Sequence, residues 1–89
     1  MNDEQRIKRI KQARTREELG QATAGYQEQV ISAHPALQNN SAFNSFMQRG
    51  RFFLALSSVK RATRGAGDEY KDVIQVLECA SERDLALVY

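Results

Sequence analysis

The stretch Ser41–Arg64, SAFNSFMQRGRFFLALSSVKRATR, holds all four phenylalanines of the chain and decides how the fold is read. Its apolar residues recur at helical spacing, and Ser41 is a suitable N-cap. The spacing predicts one long helix over about 42–64. Phe43, Phe46, Met47, Gly50, Phe53 and Leu54 then share one face, with Phe52, Leu56 and Val59 on the opposite one. A helix apolar on two sides belongs at the centre of a bundle or against a partner.

Upstream of this helix the same period repeats. Asp3 to Ala13 reads as a first helix, with acids in its first turn and Ile7, Ile10 and Ala13 as a narrow apolar line. Thr15-Arg16-Glu17-Glu18 has the form of a capping box, in which the threonine oxygen accepts an amide and the glutamate reaches back. It opens a second helix over about 16–33, carrying Leu19, Ala22, Thr23, Tyr26, Val30 and Ala33 on one stripe. Gly20 and Gly25 weaken that helix, and His34-Pro35 ends it, because the residue before proline disfavours the α region.

Downstream, Gly65-Ala66-Gly67 breaks the chain and Asp68 caps a fourth helix over about 69–80. Tyr70, Val73, Ile74, Val76, Leu77 and Ala80 form its stripe. Ser81-Glu82-Arg83-Asp84 looks like a further cap, with Leu85–Tyr89 a short final helix or an apolar tail. No strand alternation and no internal repeat interrupts this pattern. The expected fold is all-α: one small domain of four or five helices around the segment 42–64.

Composition sets the outer bounds. The chain has 89 residues, 42% of them hydrophobic and 27% charged, the balance of an ordinary folded domain. A unit of this size buries about 60–65% of the surface of its unfolded chain, and a stability of about 5–10 kcal/mol is expected. No apolar run approaches the roughly 20 residues of a membrane span. The first residues are polar with no apolar run behind them, and Cys79 is the only cysteine. These features point to a reducing, cytoplasmic setting. One Cys and one His cannot supply a structural zinc site, and no glycine-rich phosphate loop is present. No metal or cofactor is expected.

The charge is unevenly laid out. Residues 1–28 carry +1, residues 29–67 carry +5 without a single acid, and residues 68–89 carry −4, for a net +2. Three readings compete. The basic third helix packs beside the acidic fourth and their fields partly cancel. Alternatively, its basic end converges with the basic first helix on an acidic protein surface. In the third reading, that patch meets nucleic-acid phosphates.

The candidate motifs are weighed against plainer explanations. Thr15 to Ala33 fits a helix-turn-helix poorly: Thr23 stands where an apolar residue belongs, and Tyr26 to His34 has Glu28 but no Lys or Arg. An uninterrupted helix is the expectation. Gln48-Arg49-Gly50-Arg51-Phe52-Phe53 alternates arginine with aromatics, a mixture that binds single strands, but core packing accounts for the phenylalanines, with Phe53 pointing inward. Lys60-Arg61-Ala62-Thr63-Arg64 matches the preference of cations for a helix C-terminus. Cys79 and His34 have no spacing that makes them a nucleophile–base pair.

The leading functional expectation is therefore a non-enzymatic cytoplasmic protein that occupies a surface of another protein. It would act as a regulator, inhibitor or adaptor of the kind common among phage- and plasmid-borne proteins. Arg49, Arg51, Lys60, Arg61 and Arg64 would meet an acidic partner, with Phe52, Leu56 and Val59 as exposed apolar anchors or as a homodimer face. The alternative is a nucleic-acid-binding protein using Arg6, Lys8, Arg9, Lys11 and Arg14 with the basic end of the third helix.

Overall fold

The computed structural model describes residues 2–88 and is all-α among them. Six α-helices and one 3-10 turn are present: α1 (Asp3–Gln12), α2 (Arg16–Ala22), α3 (Tyr26–Ala33), the turn (Pro35–Asn39), α4 (Ser41–Gln48), α5 (Phe52–Ala62) and α6 (Lys71–Val88). The helix count exceeds expectation because two of the helices read from the sequence are each broken at a glycine.

The decisive break lies inside 42–64. Residues 41–48 and 52–62 are separate helices, and Gly50 adopts φ +70° between them. The Gly50 amide donates to the Met47 carbonyl at 3.2 Å, and the Arg51 amide to the Phe46 carbonyl at 2.8 Å. This pair of bonds is a Schellman C-cap, which needs a left-handed residue where only glycine is unstrained. The break resets the helical phase. In an unbroken helix at 100° per residue, Phe52 would stand about 180° from Phe43, and Leu54 beside it. Instead Phe43 and Phe52 are both buried, along with Ala55, Leu56 and Val59, while Phe53 and Leu54 turn outward. The expectation that Phe53 points inward is thus reversed, and of the two readings of Phe52, Leu56 and Val59, a face covered at the centre of the bundle or one exposed to a partner, the covered one holds.

The second break falls in the expected helix 16–33. Thr15 caps α2 as anticipated: the Glu18 amide donates to Thr15 Oγ1 at 3.1 Å. Glu18 reaches back one residue further than a standard box, its Oε2 accepting from the Arg14 amide at 2.6 Å. The helix then stops at Thr23, whose hydroxyl bonds to the carbonyls of Leu19 and Gly20, and Gly25 (φ +78°) reverses into α3. Residues 16–33 are therefore two short helices. The second buries Tyr26 and Val30 and bears no Lys or Arg.

Asn40, rather than Ser41, caps α4, with Oδ1 accepting from the Phe43 amide at 3.0 Å and from Ser58 Oγ at 3.2 Å. Asn44 ties the same corner together: its amide donates to the carbonyls of Leu37, Gln38 and Asn40, and its oxygen accepts from Gln27. The fourth helix of the sequence begins at Lys71 and continues to Val88, so Ser81–Asp84 lies mid-helix instead of starting a new element. Tyr89 lies outside the described residues.

α6 is the organising helix. α5 and α1 each pack against it more extensively than against any other α-helix. Val73, Val76, Leu77 and Ala80 of α6 join Ile10, Leu19, Tyr26, Val30, Phe43, Phe52 and Val59 in one buried cluster.

Candidate functional site

The α5–α6 register locates the site. Lys60 Nζ lies 3.5 Å from Glu78 Oε1, and Asp84 shares a hollow with Phe52, Phe53 and Leu54, so the two helices run antiparallel. Phe53 precedes Lys60 by seven residues and Leu85 follows Glu78 by seven. Seven residues are two turns, about 10.5 Å, on nearly the same side of a helix. This register places Phe53 and Leu85 at the same end and on the same side of the pair, with Leu54 next to Phe53 in the chain and Val88 about one turn beyond Leu85. These four are the large hydrophobic residues left exposed among the described residues: Phe53 66%, Leu54 37%, Leu85 61% and Val88 59%. Scattered exposed apolar residues need no explanation, and four at one end of a helix pair make this end the candidate surface.

The rim of this apolar end is cationic. The hollow beside it is lined by Arg16, Arg49, Arg51, Phe53, Leu54 and Asp84. Among the described residues Asp84 is the one acid lining it, and it is engaged: Arg16 Nε sits 3.1 Å from its Oδ1. The side chains of Arg49 and Arg51 are exposed and make no hydrogen bond or ion pair among the described residues. Leu54 continues the surface into a second hollow with Phe46, Ser57 and Arg61.

The residues singled out from the sequence divide accordingly. Arg49, Arg51 and Arg61 border the apolar end, and Arg64 is exposed in the α5–α6 connection. Lys60 is neutralised by Glu78, which bears out the charge-cancelling reading for that residue alone. Phe52, Leu56 and Val59 are core residues, so they cannot serve as surface anchors or as a dimer face. Sequence reading missed Phe53, Leu54, Leu85 and Val88 in their place. The available signal was Gly50, followed by basic Arg51: read as a C-cap, it turns Phe53 outward.

Arg6 is withdrawn from the nucleic-acid set by burial, being 5% exposed. Its Nη1 donates to the Ala22 carbonyl at 3.0 Å and the Ala24 carbonyl at 3.2 Å, and its Nη2 to Gln29 Oε1 at 3.1 Å. Gln29 in turn donates to Asp3 Oδ1 at 3.0 Å, and the guanidinium lies 5.0 Å over the Tyr26 ring. Arg6 is thus the clamp that holds α1 on the α2–α3 break. Its Nε is buried without a partner. Burial, with the charges of Asp3 and Asp72 adding to it, pushes the Tyr26 hydroxyl far above the usual tyrosine range, the nearby Arg6 opposing only in part.

Lys8, Arg9, Lys11 and Arg14 remain exposed on or just after α1. Lys11 borders Cys79, Glu82 and Arg83 on α6, and Arg83 Nε donates to the Ala13 carbonyl at 2.6 Å. α1 therefore packs on a different side of α6 from the Glu78 side taken by α5. The end of α1 nevertheless approaches the arginine rim, because Arg16, two residues after Arg14, lines the hollow of Arg49 and Arg51.

His34 Nε2 lies 3.3 Å from Asp72 Oδ1, and its ring rests on Tyr70 with centroids 4.6 Å apart. Asp72 and Cys79 are two turns apart along α6, so His34 does not serve the Cys79 thiol. Among the described residues, no three His, Cys, Asp or Glu side chains converge as a metal site, and no helix is long and apolar enough to cross a membrane. Compared with models of known protein families, with curated proteins and with solved structures, the chain matches none.

Proposed function

We propose that this chain is a non-enzymatic cytoplasmic binding protein that occupies a surface of another protein and regulates it. The observation that carries the reading is the apolar end formed by Phe53, Leu54, Leu85 and Val88, bordered by Arg49 and Arg51. Interface hot spots favour aromatic and arginine side chains around an apolar centre, and this end of the fold supplies both. The burial of Arg6 weighs against a phosphate-binding face built on α1.

The test is affinity capture from a lysate of the source organism, with and without nuclease, using three baits. The native chain should retain one dominant protein through nuclease treatment. A Phe53→Asp/Leu85→Asp bait should lose it, and a Lys8→Glu/Lys11→Glu bait should keep it. Capture that disappears with nuclease, or that follows the α1 lysines, would refute the proposal.

A further inference from the structure

We infer that the partner element seated on this surface is an acidic amphipathic helix, an assignment that rests on the binding role proposed above. Its apolar side would fill the seam between α5 and α6 at Phe53 and Leu85, and its carboxylates would meet Arg49 and Arg51. Two antiparallel helices with apolar residues side by side leave a groove between their ridges. A third helix fills such a groove in a bundle, and an amphipathic peptide does so in recognition. Here Phe53 in the first turn of α5 and Leu85 and Val88 in the last turns of α6 are exposed, and the Lys60–Glu78 ion pair bridges the two helices two turns away. The matching segment therefore needs only two or three apolar side chains at i, i+3 and i+4 spacing.

Charge selects its polar side. Residues 29–67 contain five bases and no acid. Lys60 is paired, but Arg49 and Arg51 beside Phe53, and Arg61 in the hollow beyond Leu54, have no acidic partner among the described residues. Three of the four acids of α6 are paired, Asp72 with His34, Glu78 with Lys60 and Asp84 with Arg16, and the fourth, Glu82, lies with Lys11 and Arg83 on the α1 side. Carboxylates brought by a partner would meet this arginine rim, whereas a second copy docked end to end would set one arginine rim against another. Phosphates would gain from Arg49 and Arg51 but nothing from Leu85 and Val88 at the centre.

The experiment is a selection from a displayed library of random 16-residue peptides against the full native chain. Arg49→Glu/Arg51→Glu and Phe53→Asp/Leu85→Asp variants run in parallel. All four positions are exposed, and circular dichroism of each variant establishes that it stays helical. The native chain should enrich net-negative peptides with apolar residues at helical spacing. The aspartate variant should enrich none of them, and the glutamate variant should switch the selected charge to positive. The best peptide should bind the glutamate variant at least about tenfold more weakly by fluorescence anisotropy.

Enriched peptides without an acidic bias, yet still dependent on Phe53 and Leu85, would overturn the acidic partner and leave the binding surface standing. Enrichment indifferent to Phe53 and Leu85, or no enrichment, would overturn the inference, and indifference would also remove the surface from the proposed function. Two further results overturn it. One is a dimer in sedimentation equilibrium that Phe53→Asp dissolves. The other is a labelled single-stranded oligonucleotide that the glutamate variant releases and the aspartate variant retains.

Discussion

Alanine substitution at two adjacent phenylalanines, Phe52 and Phe53, separates the broken α4–α5 arrangement from a continuous helix. Phe52 is 5% exposed and belongs to the core cluster. Removing it loses nearly the whole transfer energy of the ring and leaves a cavity among neighbours that relax only partly, together about 3–5 kcal/mol. Phe53 is 66% exposed, so about a third of its ring is shielded and no cavity forms. Its lost burial of roughly 0.5–1 kcal/mol is largely offset by the better helix propensity of alanine, leaving a net change within about 0.5 kcal/mol. Against a total of about 5–10 kcal/mol, Phe52→Ala should be marginally folded and Phe53→Ala close to native. In urea unfolding followed at 222 nm, a slope of about 1–1.5 kcal/mol/M lowers the Phe52→Ala midpoint by at least about 2 M. The Phe53→Ala midpoint should move by less than about 0.5 M. An unbroken helix over 42–64 makes the opposite prediction. A larger midpoint shift for Phe53→Ala than for Phe52→Ala would refute the phase reset at Gly50.

Other substitutions test the remaining joints of the structure. Gly50→Ala meets no atom within 4 Å but forces a Cβ into φ +70°, so thermal unfolding should show a loss of about 1 kcal/mol. Gly20→Ala, in α2 with equally open space and ordinary helical backbone, should gain about 0.5–1 kcal/mol in the same assay. Arg6→Lys keeps the charge but cannot reproduce the fork that reaches Ala22, Ala24 and Gln29; a loss of at least about 2 kcal/mol in urea unfolding is expected. Tyr26 holds its proton in the folded state beyond the pH at which the unfolded tyrosine loses it. The unfolded state therefore binds fewer protons above pH ~10, and stability should fall there by up to about 1.4 kcal/mol per pH unit. Urea midpoints between pH 9 and 11 measure this slope, and Tyr26→Phe should flatten it relative to the native chain.

What the amino-acid sequence determines by itself is the all-α class and most helix ends. Helix capping is local chemistry between residues one to four positions apart, so Thr15 with Glu18 announces α2 and the stripe from Val73 to Ala80 announces α6. The uneven charge is equally plain in the sequence, and so are the basic residues that border the surface, Arg49 and Arg51.

Tertiary structure alone decides how the helices are phased and which cations are free. A glycine is at ease in either backbone hand, so Gly50 and Gly25 permit a reversal without requiring one. At Gly50 the reversal lets Phe43 and Phe52 enter the same core. Arg6 is an ordinary surface cation until carbonyls 16 and 18 residues along the chain are brought to its guanidinium. Lys60 is neutralised only because α6 returns Glu78 to it. The apolar end has the same origin. Phe53 and Leu85 are 32 positions apart in sequence, and only the antiparallel register of α5 and α6 places them at the same end.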